Sequence, residues 1–250
     1  MLTAEILEAT AFTDHQVKRL NAHSILFGHQ SVGDNILDGI ERLVASDPRF
    51  TLKVESLDAA QATPGPGLIE TRIGKNRHPE TKNAAFEAVL EQRIGRQVGI
   101  AMMKYCYIDF NSKTDVRKVF RSYRKLMTDL KAKYPSLVLV HVTVPLTTEQ
   151  LGTTLKERTR TVLRRMLGRN ENVKRNAFNA LLRRTYGDKE PIFDLAELES
   201  TRADGSRSYF RHGATRIYTL APEWTTDGGH LNQAARRTAA ERLLLLLANL

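Results

Sequence analysis

Ser24-Ile25-Leu26-Phe27-Gly28-His29-Gln30-Ser31-Val32-Gly33 is a short apolar run that stops at a polar turn and leads directly into a helical pattern. Ser24 to Phe27 reads as a strand. After Ser31, residues Val32, Ile36, Leu37, Ile40, Leu43 and Val44 fall on one helical stripe, and Asp47-Pro48 ends the element. A serine at such a junction stands at the carboxyl end of a strand and the amino end of a helix. Open α/β sheets gather their ligands at that edge.

The rest of the chain repeats the alternation. Phe50 to Leu57, Val98 to Phe110, Leu137 to Val144 and Pro191 to Leu195 read as strands, and Ala59 to Pro79 reads as a long irregular stretch carrying Pro64-Gly65-Pro66-Gly67 and Gly74-Lys75-Asn76. Helical patterns cover Thr3 to Leu20, Glu80 to Arg96, Lys113 to Tyr134, Glu149 to Tyr186, and Asn232 to the end. Apolar runs without strict alternation fit a sheet covered on both faces. The expectation is a single three-layer α/β/α domain over residues 1–250, with a central, mostly parallel, flavodoxin-like sheet.

Composition narrows the function classes. Lys and Arg total 38 against 28 Asp and Glu, a formal charge of +10 that favours anionic partners. No zinc finger, RNA-recognition or recognition-helix pattern accompanies that charge, so nucleic acid is not an expected partner. The single cysteine, Cys106, excludes an intrachain disulfide, and its apolar neighbours predict a buried thiol. Charged residues interrupt Met1 to Leu20, which does not read as a signal peptide, and Leu243 to Leu247 is far shorter than the ~20 residues that span a bilayer. Cytoplasmic residence without membrane association is the expectation. The seven histidines show no metal-ligand spacing and no phosphate-cradling glycine loop is present, so neither metal nor cofactor is expected.

Asp227-Gly228-Gly229-His230-Leu231-Asn232, just ahead of the final helix, supplies what Ser31 lacks. A serine hydroxyl needs a base to remove its proton, and an imidazole needs a partner that fixes its tautomer. Standing three residues apart in a turn, Asp227 can bind one nitrogen of His230 and leave the other for Ser31. The free N–H groups at the helix start and the small Gly33 would let an oxyanion approach. Each block alone also has a structural explanation, a helix cap at Ser31 and a glycine turn at Asp227.

On these two blocks the chain resembles the SGNH hydrolases, the GDSL-type esterases and lipases. Gly28-His29-Gln30-Ser31 stands where that family has a Gly-Asp-Ser-like block, and Asp227-Gly228-Gly229-His230 matches its Asp-x-x-His block. The resemblance implies Ser31 as nucleophile, His230 as general base and acid, and Asp227 as its orienter. It also implies a glycine after the second strand and an asparagine after the third as oxyanion donors. Gly65, Gly67 and Gly74 are candidates for the first, with Gly67 taken as the working assignment. Asn111 is the candidate for the second, with Lys104 and Asn76 as alternatives. His29 and Lys104 are candidate substrate contacts. The implied activity is hydrolysis of a carboxylic ester through an acyl-enzyme, with an O-acetyl or short acyl group on a carbohydrate or small molecule, favoured if anionic. An O-acyltransferase with the same triad, or a non-catalytic polyanion-binding protein on this fold, are the alternatives.

Overall fold

Six parallel strands form the sheet of the computed structural model, which describes residues 12–58, 65–149 and 170–250 together with 156, 159, 162, 163 and 167. The strands are β1 (Ser24–His29), β2 (Val54–Ser56), β3 (Gly67–Arg72), β4 (Ile100–Met103), β5 (Val138–Val142) and β6 (Ile192–Phe193), in the spatial order β2-β3-β1-β4-β5-β6. The order reverses at β1, so β1 lies between β3 and β4 and its carboxyl end is the topological switch point.

Helices cover both faces. On one side lie α1 (Asp14–Ala22), α2 (Val32–Ser46) and α7 (Gln233–Ala248), whose Leu20, Ile36, Ile40, Leu243 and Leu247 pack on Ile25, Phe27 and Met102 of the sheet. On the other lie α3 (Pro79–Val89), α4 (Val116–Lys133) and α5 (Glu171–Tyr186), where Phe86, Leu130, Phe178 and Leu182 meet Leu26, Ile69 and Leu139. Alternate residues of β1 thus enter opposite cores. Helices α2 and α7 cross in close contact at Gly39. A Cβ on Gly39 would lie 2.3 Å from the Arg236 carbonyl oxygen, so only glycine lets the two helices approach this far.

Three expectations change. The stretch read as irregular contains β3, whose Glu70 disguises it; that carboxylate is accounted for by His29 of β1, whose Nε2 lies 2.9 Å away. The strand expected over Val98 to Phe110 ends at Met103 and gives way to a 3-10 turn at Tyr107–Asp109. A short helix α6 (Leu195–Ser200) and an antiparallel hairpin of β7 (Tyr209–His212) and β8 (Thr215–Tyr218) follow β6, and the sequence reading assigned none of them. Residues 1–11, 59–64 and most of 150–169, which include parts of the first helix, the long loop and the basic helical region, lie outside the described residues. Among the described residues, no helix is long and apolar enough to cross a membrane.

Candidate active site

Ser31 sits at the junction of β1 and α2 as the residue before the first helical turn, and its hydroxyl makes no capping hydrogen bond. The side chain is therefore not spent on the helix. Beneath it, the His29 ring lies so close to Gly33 that a Cβ there would be 2.4 Å from the imidazole. His29 is fully buried, paired through Nε2 with Glu70 and tilted against Phe27. Burial lowers the pKa of the imidazole, opposed by the Glu70 carboxylate. It lies as a buried floor beneath the serine turn, where the sequence reading expected a substrate contact.

The second block folds as a tight polar turn. Asp227 Oδ1 accepts the N–H groups of Gly229 (2.9 Å) and His230 (2.8 Å), and Oδ2 lies 2.6 Å from His230 Nδ1. These bonds hold the Asp227 carboxyl far below the usual carboxylate range, with the His230 backbone N–H the largest cause. Gly228 has φ 87°, a left-handed conformation that favours glycine. Gly229 backs onto Tyr107, whose ring would be 3.0 Å from a Cβ at that position. Asn232 then caps α7 by accepting the Ala235 N–H.

Two hydrogen bonds fix this turn, one to the helix that follows Ser31 and one to the segment after β5. Asn35, one helical turn beyond Ser31, accepts the Leu231 N–H at 3.0 Å, while Thr148, after β5, donates its N–H to the Gly228 carbonyl at 2.9 Å. Tyr107 completes the enclosure, its ring edge-on to His230 with centroids 5.8 Å apart. Arg175 of α5 holds Tyr107 in turn, donating from Nε to the Tyr107 carbonyl at 2.9 Å and from Nη1 to Thr147 and Asn172. Neither Tyr107 nor Arg175 was singled out as a site residue from sequence, because an aromatic in an apolar run and an arginine on a basic helix carry no distinguishing pattern.

Strand register decides the oxyanion candidates. Gly28 pairs with Thr71 of β3 and with Met103 of β4, and the His29–Arg72 pair is the last between β1 and β3, so the segments after Arg72 and Met103 leave the sheet at the same edge as Ser31. Gly67 pairs with Ser24 and donates its N–H to His23 at the amino end of the sheet, which excludes the working assignment. Gly74 is the glycine at the correct edge. It has φ 56°, a Cβ there would lie 2.5 Å from the Lys82 nitrogen, and its own N–H has no partner among the described residues. Gln30 ties this loop to the serine turn by donating from Nε2 to the Ile73 and Gly74 carbonyls, both at 3.1 Å.

Asn111 is likewise corrected. It is exposed, and its side chain accepts the Lys113 N–H in a local turn ahead of α4. Asn76, on the loop after Gly74, has its Oδ1 held by Lys82 Nζ at 3.1 Å. Lys82 is itself paired at 2.5 Å with Asp109, and both side chains are fully buried. Asp109 also accepts the Cys106 N–H (2.7 Å) and the Arg77 N–H (2.8 Å), so one carboxylate fastens the β3–α3 loop to the end of β4. The sequence reading singled out neither Lys82 nor Asp109 as a site residue, and their pairing was not legible in it.

Lys104 is also fully buried, with Nζ 3.4 Å from the Tyr105 carbonyl, and desolvation lowers its pKa. Its side chain is buried within the fold, where the sequence reading expected a substrate contact. Glu199 of α6 accepts the Leu146 N–H at 2.6 Å, and burial pushes its carboxyl up to about 8. Cys106 is buried, as its neighbours implied. Four further polar side chains are spent on the fold: Asp194 caps α6 and pairs with Arg183, Asn176 bonds the Tyr218 backbone, Asn179 bonds Val144, and Trp224 donates to the Thr201 carbonyl. Among the described residues, no cluster of three or more His, Cys, Asp or Glu side chains is placed to hold a metal ion.

No protein-family model and no curated protein matches the sequence. Solved structures do. A protein provisionally named an acylhydrolase, from Bacteroides fragilis, superposes with a TM-score of 0.53 at 13% identity, covering 94% of each chain. A GDSL-like lipase from Bacteroides thetaiotaomicron gives 0.52 at 11% identity over 96% of this chain and 91% of its own. The lipase/acylhydrolase from Enterococcus faecalis gives 0.51 at 10% identity over 90% and 94%. Identities this low establish architecture alone: the chain shares its three-layer α/β/α fold with these lipases and acylhydrolases.

Proposed function

We propose that the protein is a serine hydrolase of carboxylic esters, with Ser31, His230 and Asp227 as its triad. The observation that carries this reading is the Asp227–His230 pair. Asp227 occupies Nδ1 of the imidazole, which leaves Nε2 as the nitrogen that exchanges protons. Ser31, whose hydroxyl is free of any capping duty, is the nucleophile at the switch point of the sheet.

In the acylation step Ser31 Oγ attacks the ester carbonyl and His230 Nε2 takes its proton. Negative charge collects on the former carbonyl oxygen. The N–H groups of Ser31 and Gly74 and the side-chain amide of Asn76 are its donors, Asn76 being turned to donate because Lys82 engages its oxygen. Collapse of the tetrahedral intermediate returns the proton from His230 to the leaving alcohol and leaves an acyl ester on Ser31. Water then repeats the sequence with His230 as base, releasing a carboxylic acid and free Ser31.

A short acyl group, acetyl in the simplest case, on a carbohydrate-like alcohol fits the surroundings. The His230 and Asp227 side chains are 38% and 54% exposed, and the neighbouring loop carries Lys75, Asn76 and Arg77, so the site is open and polar on the side where the alcohol would leave. Replacing Ser31 with Ala is expected to abolish turnover of 4-nitrophenyl acetate while the unfolding transition stays in place. Undiminished turnover by the variant would refute the assignment.

A further inference from the structure

Arg77 is the one residue other than glycine with positive φ among the described residues, at 71°. It is the third residue of the tight turn Lys75-Asn76-Arg77-His78, closed by the His78 N–H on the Lys75 carbonyl at 3.2 Å. Glycine or asparagine usually fills such a position, because a long side chain there is strained. Strain of this kind persists only where the surroundings enforce it. Here Asp109 enforces it by accepting the Arg77 N–H while buried and paired with Lys82.

The guanidinium that this backbone presents is exposed and forms no ion pair among the described residues. The surrounding cations are otherwise engaged. Arg72 pairs with Asp34 at 2.8 Å, Lys82 is neutralised by Asp109, and Glu80 pairs with His78 at 3.2 Å. Lys75 is the other exposed cation on this turn without an ion pair. Arg77 follows Gly74, whose carbonyl Gln30 beside Ser31 holds at 3.1 Å, by three residues, a reach of at most about 10 Å. One sugar-sized alcohol can therefore span from the nucleophile to this turn.

We propose that Arg77, assisted by Lys75, recognises an anionic group on the alcohol portion of the ester, so that the substrate is an acylated acidic compound. The inference rests on the ester-hydrolase reading and adds the class of substrate to it. The planar guanidinium offers paired donors to a carboxylate or a phosphate, the two sources of such a group.

Three acetate esters test it: 4-acetoxybenzoate, 4-acetoxyphenyl phosphate and the neutral methyl 4-acetoxybenzoate. Arg77→Asn keeps a residue tolerant of positive φ and the N–H that Asp109 accepts, while it removes the charge. For at least one of the anionic esters, kcat/KM relative to the neutral ester is expected to fall about tenfold in Arg77→Asn, the loss of a charge-assisted hydrogen bond of about 1.4 kcal/mol. Turnover of the neutral ester should be unchanged, Arg77→Lys should retain part of the preference, and the affected ester identifies carboxylate or phosphate. Equal ratios in the variant and the unaltered protein would overturn the proposal, as would a parallel loss on the neutral ester. If the unaltered protein cleaves none of the three and a fluorophosphonate fails to label Ser31, the hydrolase reading itself has failed and the substrate class falls with it.

Discussion

Asn35 accepts the backbone N–H of Leu231 across 196 residues of sequence, and this bond docks the turn bearing His230 onto the first turn of the helix that follows Ser31. Both ends are buried. Asn35→Ala leaves the Leu231 N–H without a partner, at a cost of about 1–3 kcal/mol in urea unfolding. Because the histidine turn is no longer fixed to the serine helix, kcat should fall by about tenfold or more, with a smaller change in KM. A variant that loses stability but keeps kcat would show that this bond does not position the base.

Asp227→Asn separates orientation from folding. The amide oxygen can still accept the Gly229 and His230 N–H groups, but the charge beside His230 Nδ1 is gone. Thermal unfolding should shift down only modestly, because the half-exposed carboxylate is screened by solvent, while kcat falls by about 10³-fold or more. The pH profile has a matching sign. The folded pKa of Asp227 is depressed, so its contribution to stability is present above the ordinary carboxylate range and is lost only as pH falls through its lowered value. Protonation of Asp227 should therefore produce no acid limb in kcat between pH 4 and 7.

Breaking the Lys82–Asp109 pair tests the support of the loop that carries Gly74, Asn76 and Arg77. Removal of one partner of a buried pair strands the other, and Lys82→Met is expected to cost about 3–5 kcal/mol in denaturant unfolding. Below the unfolding transition the same variant should lose kcat by about tenfold, since the Asn76 amide is no longer held. Asn76→Ala, which leaves the ion pair intact, should lose about 10²-fold or more in kcat with little change in stability.

Much of this architecture could be read from the sequence, and the reason is local. Ser24 to Ser46 declares a strand, a turn and a helix through its own periodicity, and Asp227 to Asn232 declares a turn through its glycines and its cap. Strand β3 escaped because Glu70 interrupts its apolar character, and only the neighbouring strand supplies His29 to explain it. Gly67 and Gly74 are indistinguishable by type; the register of β3 against β1 separates them. His29 and Lys104 looked like site residues because they are polar beside the site, yet both are fully buried. The Lys82–Asp109 pair joins residues 27 apart, and local spacing carries no trace of it.

Arg77→Gly should show the cost of the recognition turn. Glycine takes φ 71° without strain, so the variant is expected to unfold at a higher urea concentration, by roughly 1 kcal/mol. A gain in stability accompanied by loss of the anionic preference would be the signature of strain kept for function. No gain in stability would mean that the turn bears no strain at this residue.

Glu199→Gln tests the buried carboxyl near Lys104, Arg175 and Asp194. Its folded pKa, about 8, lies above the unfolded value of 4.5. The folded state thus keeps a proton that the unfolded state releases, and stability falls as pH rises from about 4.5 to about 8, by up to about 1.4 kcal/mol per pKa unit. Glutamine removes that slope. The difference in urea midpoint, variant minus unaltered protein, should grow through this window and level off above it; a difference independent of pH would place the carboxyl in its ionised form throughout.

The most direct test of the central claim is covalent labelling. Treatment of the intact protein with a fluorophosphonate, followed by mass spectrometry of its peptides, is expected to give a single adduct on Ser31 that is absent from Ser31→Ala and forms far more slowly in His230→Ala. An intact protein that takes up no label, or an adduct on another residue that persists in Ser31→Ala, would contradict the account.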